Sequence, residues 1–502
     1  HGGGGPMTEV LVIGAGVGGL AAALRLQALG HRVSIIEQSA EIGGKLGVLE
    51  RDGFIFDTGP SLVTMPHVLQ QLFAATGVAL DDVLPLTRLD IAARYRFPDG
   101  TRLDLPGELS EIPDALDTAL GPGRGAQWMS FLARAEHIWD LTHHTFLESP
   151  ISGRSLLRAA RPADIATIAP WRSLRGLGSH YLRDPRLRML LDRYATYTGS
   201  DPRRAPAALA AVPWAEQAWG SWYVPGGLGR IATAIADRFE ALGGVIETGS
   251  TVAQISVGAD GHADGVVLSD GTYRRADLMV ANADAEQLYR SLLHTRSAAR
   301  ALRRIRRATA SLSGFVLLLG VDDPPPDRCH HQVLFPEDYD AEFDAIFGRG
   351  GPPRPVADPT IYLSAPEDPQ IVPTPGTGAW FVLVNAPRHE PRNGVDWDRG
   401  ALATDYADMI LHRMAERGLD IRTRVRHCDI LTPADLERRT LTPGGSIYGT
   451  SSNGPRAAFL RPRNTTDVPG LFVVGGSAHP GGGLPLVMMS AKIVAELIGP
   501  AV

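Results

Sequence analysis

The chain has 502 residues, 44% of them hydrophobic and 21% charged, a balance that builds one elaborated domain or two and excludes a disordered or fibrous protein. A net charge of −6 gives no global attraction to nucleic acid. The two cysteines, Cys329 and Cys428, are far apart and form no CxxC, which argues against a disulfide framework, a zinc site or an iron–sulfur cluster.

In chain order, the first six residues read as an expression remnant ahead of a natural start at Met7. The apolar run from Val10 is interrupted by glycines within a few residues, so neither a signal peptide nor a membrane span is expected. The expected location is therefore cytoplasmic. All basic residues except Lys45 and Lys492 are arginine, as in a GC-rich genome.

Residues 9–38, EVLVIGAGVGGLAAALRLQALGHRVSIIEQ, read as a βαβ unit. A strand over Val10–Ile13 leads into GxGxxG at Gly14, Gly16 and Gly19. An Ala/Leu-rich helix follows, Gly30 stops it, and a second strand ends at Glu37. Gly14 permits the tight turn, Gly16 lets backbone approach a pyrophosphate, and Gly19 lets helix and strand pack closely. The helix N-terminus supplies N–H donors to phosphate, and Glu37 can accept hydrogen bonds from a ribose diol. This is a dinucleotide site, without distinction yet between NAD and FAD.

Residues 42–63, IGGKLGVLERDGFIFDTGPSLV, add a Gly-Gly-basic turn and two strands joined at Asp52-Gly53. This extended pattern resembles the FAD-containing branch related to glutathione reductase and the amine oxidases. The resemblance places Gly43, Gly44 and Lys45 along the ribityl chain and pyrophosphate. It places Gly59, Pro60, Ser61 and Leu62 beside the isoalloxazine.

Over 64–224 the α/β rhythm gives way to short helical patterns with aromatics such as Trp139, Trp171, Trp214 and Trp219. It resumes at 223–255, followed by a hairpin and a further strand over 251–284. The expected fold is α/β, a Rossmann-like FAD-binding domain of the glutathione-reductase/amine-oxidase type. That domain is split into 7–92, 225–295 and 440–500. The inserted mixed α+β substrate and membrane-contact domain takes 93–224 and 296–439. No second intact GxGxxG occurs, so electrons are expected to pass from substrate to FAD to an outside acceptor, a quinone or oxygen.

Residues 469–497, PGLFVVGGSAHPGGGLPLVMMSAKIVAEL, join with 42–63 and 440–462 in a pattern that resembles the bacterial phytoene-type carotenoid desaturases. The resemblance runs over essentially the whole chain from Met7. The run Gly445-Ser446-Ile447-Tyr448-Gly449 is most similar to the 1-hydroxycarotenoid 3,4-desaturase subgroup. The resemblance implies that Gly475 contributes to the pyrophosphate end. It brings Gly482, Gly483, Leu484 and Pro485 to the pyrimidine edge, holds adenine at the Val252 backbone, and places Asn282 and Leu441 beside the cofactor. A helix N-terminus there would stabilise charge developing near flavin N1 by about 1–2 kcal/mol. No cysteine follows Cys428, so the FAD is expected to be non-covalent. His479 reads as a loop-shaping residue, and Arg154 as a surface residue rather than a catalytic one.

What the resemblance implies is hydride loss from a carotenoid to flavin N5 with loss of a neighbouring proton, at C-3,4 of a 1-hydroxylated or monocyclic carotenoid. An earlier phytoene-type desaturase, a flavin-dependent carotenoid isomerase, and a non-catalytic prenyl-lipid chaperone remain as alternatives. No metal is called for. A carotenoid must be collected from a bilayer, and two Arg-rich stretches, 151–205 and 295–310, are candidates for peripheral contact with the inner face of the cell membrane.

Overall fold

The computed structural model describes residues 8–150, 161–454 and 457–501. Its first layer grows from β1 (Glu9–Ile13), α1 (Val17–Ala28) and β2 (Arg32–Ile36). These seed a five-stranded parallel sheet in the order Leu471–Val473, Leu278–Ala281, β1, β2, Val245–Glu247. Its strands are apolar on both faces because both faces are covered. Val10 and Val12 enter the core beneath α1, while Leu11 and Ile13 enter a second core with Val266, Met279 and Leu288. α1 is buried nearly all round, packed between the helices Arg230–Ala241 and Leu484–Ile498. The chain's beginning, middle and end thus share one layer.

A three-stranded antiparallel sheet over Val252–Val257, Ala263–Leu268 and Tyr273–Arg275 stands beside this layer. The third sheet has seven strands. Their order is Val425–Leu431, Ser313–Asp322, Thr377–Ala386, Ile361–Ser364, His331–Leu334, Ile91–Arg96, Arg102–Pro106. Only the contact of His331–Leu334 with Ile91–Arg96 is parallel. Ile91–Arg96 straddles residue 92, so the sheet takes in residues on both sides of that expected domain boundary.

Among the described residues between 112 and 219 the chain is mostly helical, with Arg124–Thr142 the longest helix. Trp128, Phe131, Leu187, Leu190 and Tyr194 close its core. The helical region and the seven-stranded sheet face each other, and the space between them runs back to the glycine turn after β1.

Candidate functional site

A single cavity of about 1070 Å³ connects the two halves, at or above the size of an ordinary small-molecule site. Its floor is the turn between β1 and α1. Gly14 adopts φ +98°, a conformation open to glycine, and its N–H donates to the Ile36 carbonyl at 2.8 Å. A Cβ on Gly19 would lie 2.1 Å from the Gly14 carbonyl oxygen, so the helix meets the turn only because that residue lacks a side chain. A Cβ on Gly16 would lie 2.7 Å from Asn282 Nδ2, on Gly18 2.6 Å from Asn282 Oδ1, and on Gly475 2.7 Å from the same oxygen. The glycines therefore make room for the Asn282 amide as well as for a ligand. Gly18 belongs to this cradle although it stands outside the GxGxxG triplet.

Of the residues read from the sequence, Gly14, Gly16, Glu37, Gly44, Lys45, Gly59, Pro60, Ser61, Leu62, Val252, Asn282, Leu441, Gly482, Gly483, Leu484 and Pro485 all line the cavity. Gly19 and Gly475 lie one layer behind it. The carboxylate of Glu37 accepts from Ala15 N at 2.7 Å and from Ser39 N at 2.8 Å, which ties the glycine turn to the end of β2. Each oxygen keeps a lone pair for a ligand hydroxyl. Leu441 takes a left-handed φ of +53° at the end of the helix Pro433–Thr440.

The Lys45 ammonium is committed to protein. It donates to the carbonyls of Ser446 at 3.0 Å and Ile447 at 2.7 Å, joining the first turn to the C-terminal third of the chain. Burial lowers its pKa to about 8, opposed by the nearby Asp284 carboxylate. Asp284 Oδ1 caps a short helical turn through Glu286 N and Gln287 N, while buried Oδ2 has no partner among the described residues. Burial raises the Asp284 pKa. Arg461 donates to the carbonyls of Tyr448, Thr450 and Gly476, and burial lowers it to about 10. Asp284 and Arg461 also line the cavity, and neither belongs to a motif that marks it in the sequence.

The closing loop enters from the other side. Gly483, at φ +100°, precedes the helix Leu484–Ile498, whose first turn faces the cavity. A Cβ on Gly482 would lie 2.3 Å from the Tyr448 ring, so Tyr448 is packed directly on that loop. His479 does not line the cavity. It is fully buried, its Nε2 donates to the Ser149 carbonyl at 2.9 Å, and burial holds its pKa down at about 4. Arg154 lies outside the described residues, as does part of the 151–205 stretch.

The remaining arm of the cavity is mostly apolar, walled by Trp139, Phe146, Ile168, Leu209, Val212, Phe381 and Leu383. A buried polar group interrupts it. Tyr197 Oη accepts from Arg193 Nη1 and donates to Glu216 Oε2, both at 2.8 Å, and Tyr194 Oη donates to Glu216 Oε1 at 2.8 Å. Tyr362 Oη bonds Ser61 Oγ at 2.7 Å and His331 Nδ1 at 2.8 Å. Burial drives His331 down, so that imidazole is neutral, and lifts Tyr362 to about 12. Ile165 lines the arm while 38% exposed, and Trp171, which follows the lining residue Pro170 in sequence, is 67% exposed.

The glycine cradle, the carboxylate at the end of β2, the unpaired Asp284 oxygen and the helix N-terminus fit a dinucleotide carrying a flat ring. Neither Cys329 nor Cys428 lines the cavity.

Residues 17–344 match the family of flavin containing amine oxidoreductases. The chain is 33% identical to the 4,4'-diapolycopene oxygenase of Methylomonas sp., covering 98% of each chain. It is 31% identical to the 1-hydroxycarotenoid 3,4-desaturase of Flavobacterium sp. strain P99-3, over 98% of this chain and 99% of that one. Among solved structures, a triple mutant of putrescine oxidase superposes with a TM-score of 0.66 at 14% identity, over 98% of this chain and 99% of that one. The chain belongs to the flavin containing amine oxidoreductase family, has a carotenoid desaturase among its full-length relatives, and is an FAD-dependent oxidoreductase.

Proposed function

We propose that the protein desaturates a carotenoid, introducing the C-3,4 double bond of a 1-hydroxylated or monocyclic substrate. The observation that carries this reading is the shape of the cavity, a dinucleotide cradle continuous with a mostly apolar arm whose lining includes the exposed Ile165. The relative from Flavobacterium bears that activity in its name.

Gly14–Gly19, Glu37, Asn282 and Gly482–Pro485 would hold non-covalent FAD. Bound there, the flavin supplies the hydride acceptor that no side chain offers. The chain's own work is placement and dryness. Phe381, Leu383, Leu209 and Val212 confine a rod-like polyene and keep water from the reacting end. The first turn of the helix Leu484–Ile498 presents a positive dipole end to the cavity. Quinone or oxygen would then reoxidise the cofactor.

The segment 161–172 exposes Ile165, which lines the cavity, and Trp171 together with Arg161 and Arg172, the composition of a surface that rests on anionic headgroups. The helix Arg296–Ile305 exposes its arginines, buries Ala298 and Ile305, and pairs Arg300 with Asp467. These features support a cytoplasmic protein held peripherally at the membrane.

The decisive test is expression in bacteria that make neurosporene, lycopene or their 1-hydroxy derivatives, with analysis of the pigments. A product two hydrogens lighter, desaturated at C-3,4, is expected. An aldehyde or other oxygenated product would instead align the chain with the oxygenase relative. An unchanged pigment alongside flavin-bearing protein would remove the desaturase reading.

A further inference from the structure

Arg193 is 91% buried by its 9% exposure, yet its guanidinium is far from saturated. Nη1 donates to Tyr197 Oη, and among the described residues no acceptor meets its remaining N–H groups. It faces the cavity. Its guanidinium lies over the rings of Tyr197 at 5.1 Å, Tyr362 at 5.6 Å and Tyr95 at 5.9 Å, which fix its plane. Glu216 balances the charge from behind Tyr197, and both of its oxygens are already engaged by tyrosine hydroxyls. On the wall built by residues 185–219, Arg193 and Glu216 are the charged side chains, set among the hydroxyls of Thr196, Tyr197 and Thr198 and apolar neighbours.

The free Arg193 N–H groups face the cavity, so a ligand that displaces solvent there must offer them an oxygen or leave them unpaired at a cost. Hydrocarbon offers no such atom. The location narrows the choice further. Tyr362 links the cluster to Ser61, and Ser61 belongs to the run Gly59–Leu62, whose first residue packs on the Lys45 turn. Tyr448, which lines the same cavity as Arg193, packs on Gly482. The donors therefore stand where the apolar arm joins the dinucleotide cradle, not at the mouth.

We infer that Arg193, positioned by Tyr197 and Glu216, hydrogen-bonds an oxygen on the substrate's reacting end and so selects oxygenated polyenes over hydrocarbons. The inference rests on the desaturase reading above. In a 1-hydroxylated carotenoid the oxygen lies only a few bonds from C-3, so an oxygen subsite must adjoin the reacting end.

The test compares a 1-hydroxylated acyclic carotenoid with its parent hydrocarbon, using flavin-loaded wild type, Arg193→Met and Tyr197→Phe in detergent or lipid. The wild type is expected to favour the hydroxylated substrate in kcat/KM. Each variant is expected to reduce that preference by about 10- to 100-fold, the size of one hydrogen bond to a charged donor. Tyr197→Phe, which removes one hydroxyl at nearly constant volume, carries the test if Arg193→Met loses its flavin. Equal kcat/KM for both carotenoids in the wild type overturns the oxygen subsite while leaving the desaturase intact. Equal loss on both substrates in the variants, with an altered flavin spectrum, also overturns it and assigns Arg193 to the cofactor. Turnover of neither carotenoid by flavin-loaded wild type removes the desaturase reading, and this inference with it.

Discussion

His479 sits in the glycine-rich closing loop, where an imidazole invites a catalytic role, but its surroundings are those of a structural group. Its side chain is buried, and its pKa is held at about 4 against an ordinary 6.5. As pH falls through that window the unfolded chain binds a proton that the folded one refuses, so folding loses stability. The shift amounts to about 3 kcal/mol between pH 6.5 and pH 4. Unfolding free energy followed by fluorescence should therefore fall about that much further in the wild type than in His479→Gln across this range. Parallel pH profiles would remove His479 as the cause. Lys45 teaches a related lesson about single residues. The sequence marks it by its place in a Gly-Gly-basic turn, and it does line the cavity. What the turn cannot disclose is that two of its N–H bonds go to carbonyls some 400 residues later. Partners at that separation leave no local trace.

At the scale of elements, the βαβ unit is the most legible part of the chain, because its signals are contiguous. The strand, the turn glycines, the helix and the acidic strand end fall within thirty residues, and β1, α1 and β2 appear where the pattern puts them. The polar cluster in the apolar arm was not legible. Ser61, Arg193, Glu216 and Tyr362 come from four separate segments and meet only after helices and sheet have packed. Asp284 escaped for a different reason. Its side chain caps a turn as countless aspartates do, and only burial of the second oxygen sets it apart. The α1 contact also makes a sharp prediction. In Gly19→Ala the new methyl would stand 2.1 Å from the Gly14 carbonyl oxygen and 3.1 Å from Asn282 Cβ. α1 cannot retreat, being wedged between two helices. Overpacking of this kind costs about 1–3 kcal/mol. Denaturant unfolding should show that loss, and the purified variant should carry less flavin per chain. Full flavin content with unchanged stability would mean that the helix has room the packing does not show.

For the molecule as a whole, the cavity joins a polar cradle to a surface opening, and the opening determines how an insoluble substrate arrives. No helix among the described residues is long and apolar enough to cross a membrane, and the proposed lipid contact is a surface one. Ile165, which lines the cavity, and Trp171 a few residues later are exposed apolar side chains. A combined Ile165→Ala and Trp171→Ala variant is expected to lose at least about tenfold in affinity for anionic vesicles, given the apolar area removed. Salt should release the wild type from those vesicles, as it does proteins held by arginine–headgroup attraction. Sedimentation with vesicles of defined composition measures both effects. Equal binding by wild type and variant would move the lipid contact elsewhere, with the exposed arginines of Arg296–Ile305 as the next surface to alter.

The strand Leu471–Val473 and the helix Leu484–Ile498 are the last regular elements of the described chain, yet they complete the parallel sheet and cover α1. A ribosome delivers them long after β1, α1 and β2. Until then those three elements wait with an apolar flank open to solvent and no lid on the cradle. Cofactor capture is therefore expected only once the late strand and helix have emerged and docked. A premature stop near residue 465 would leave no partial enzyme, only a nascent chain that chaperones must hold or proteases remove.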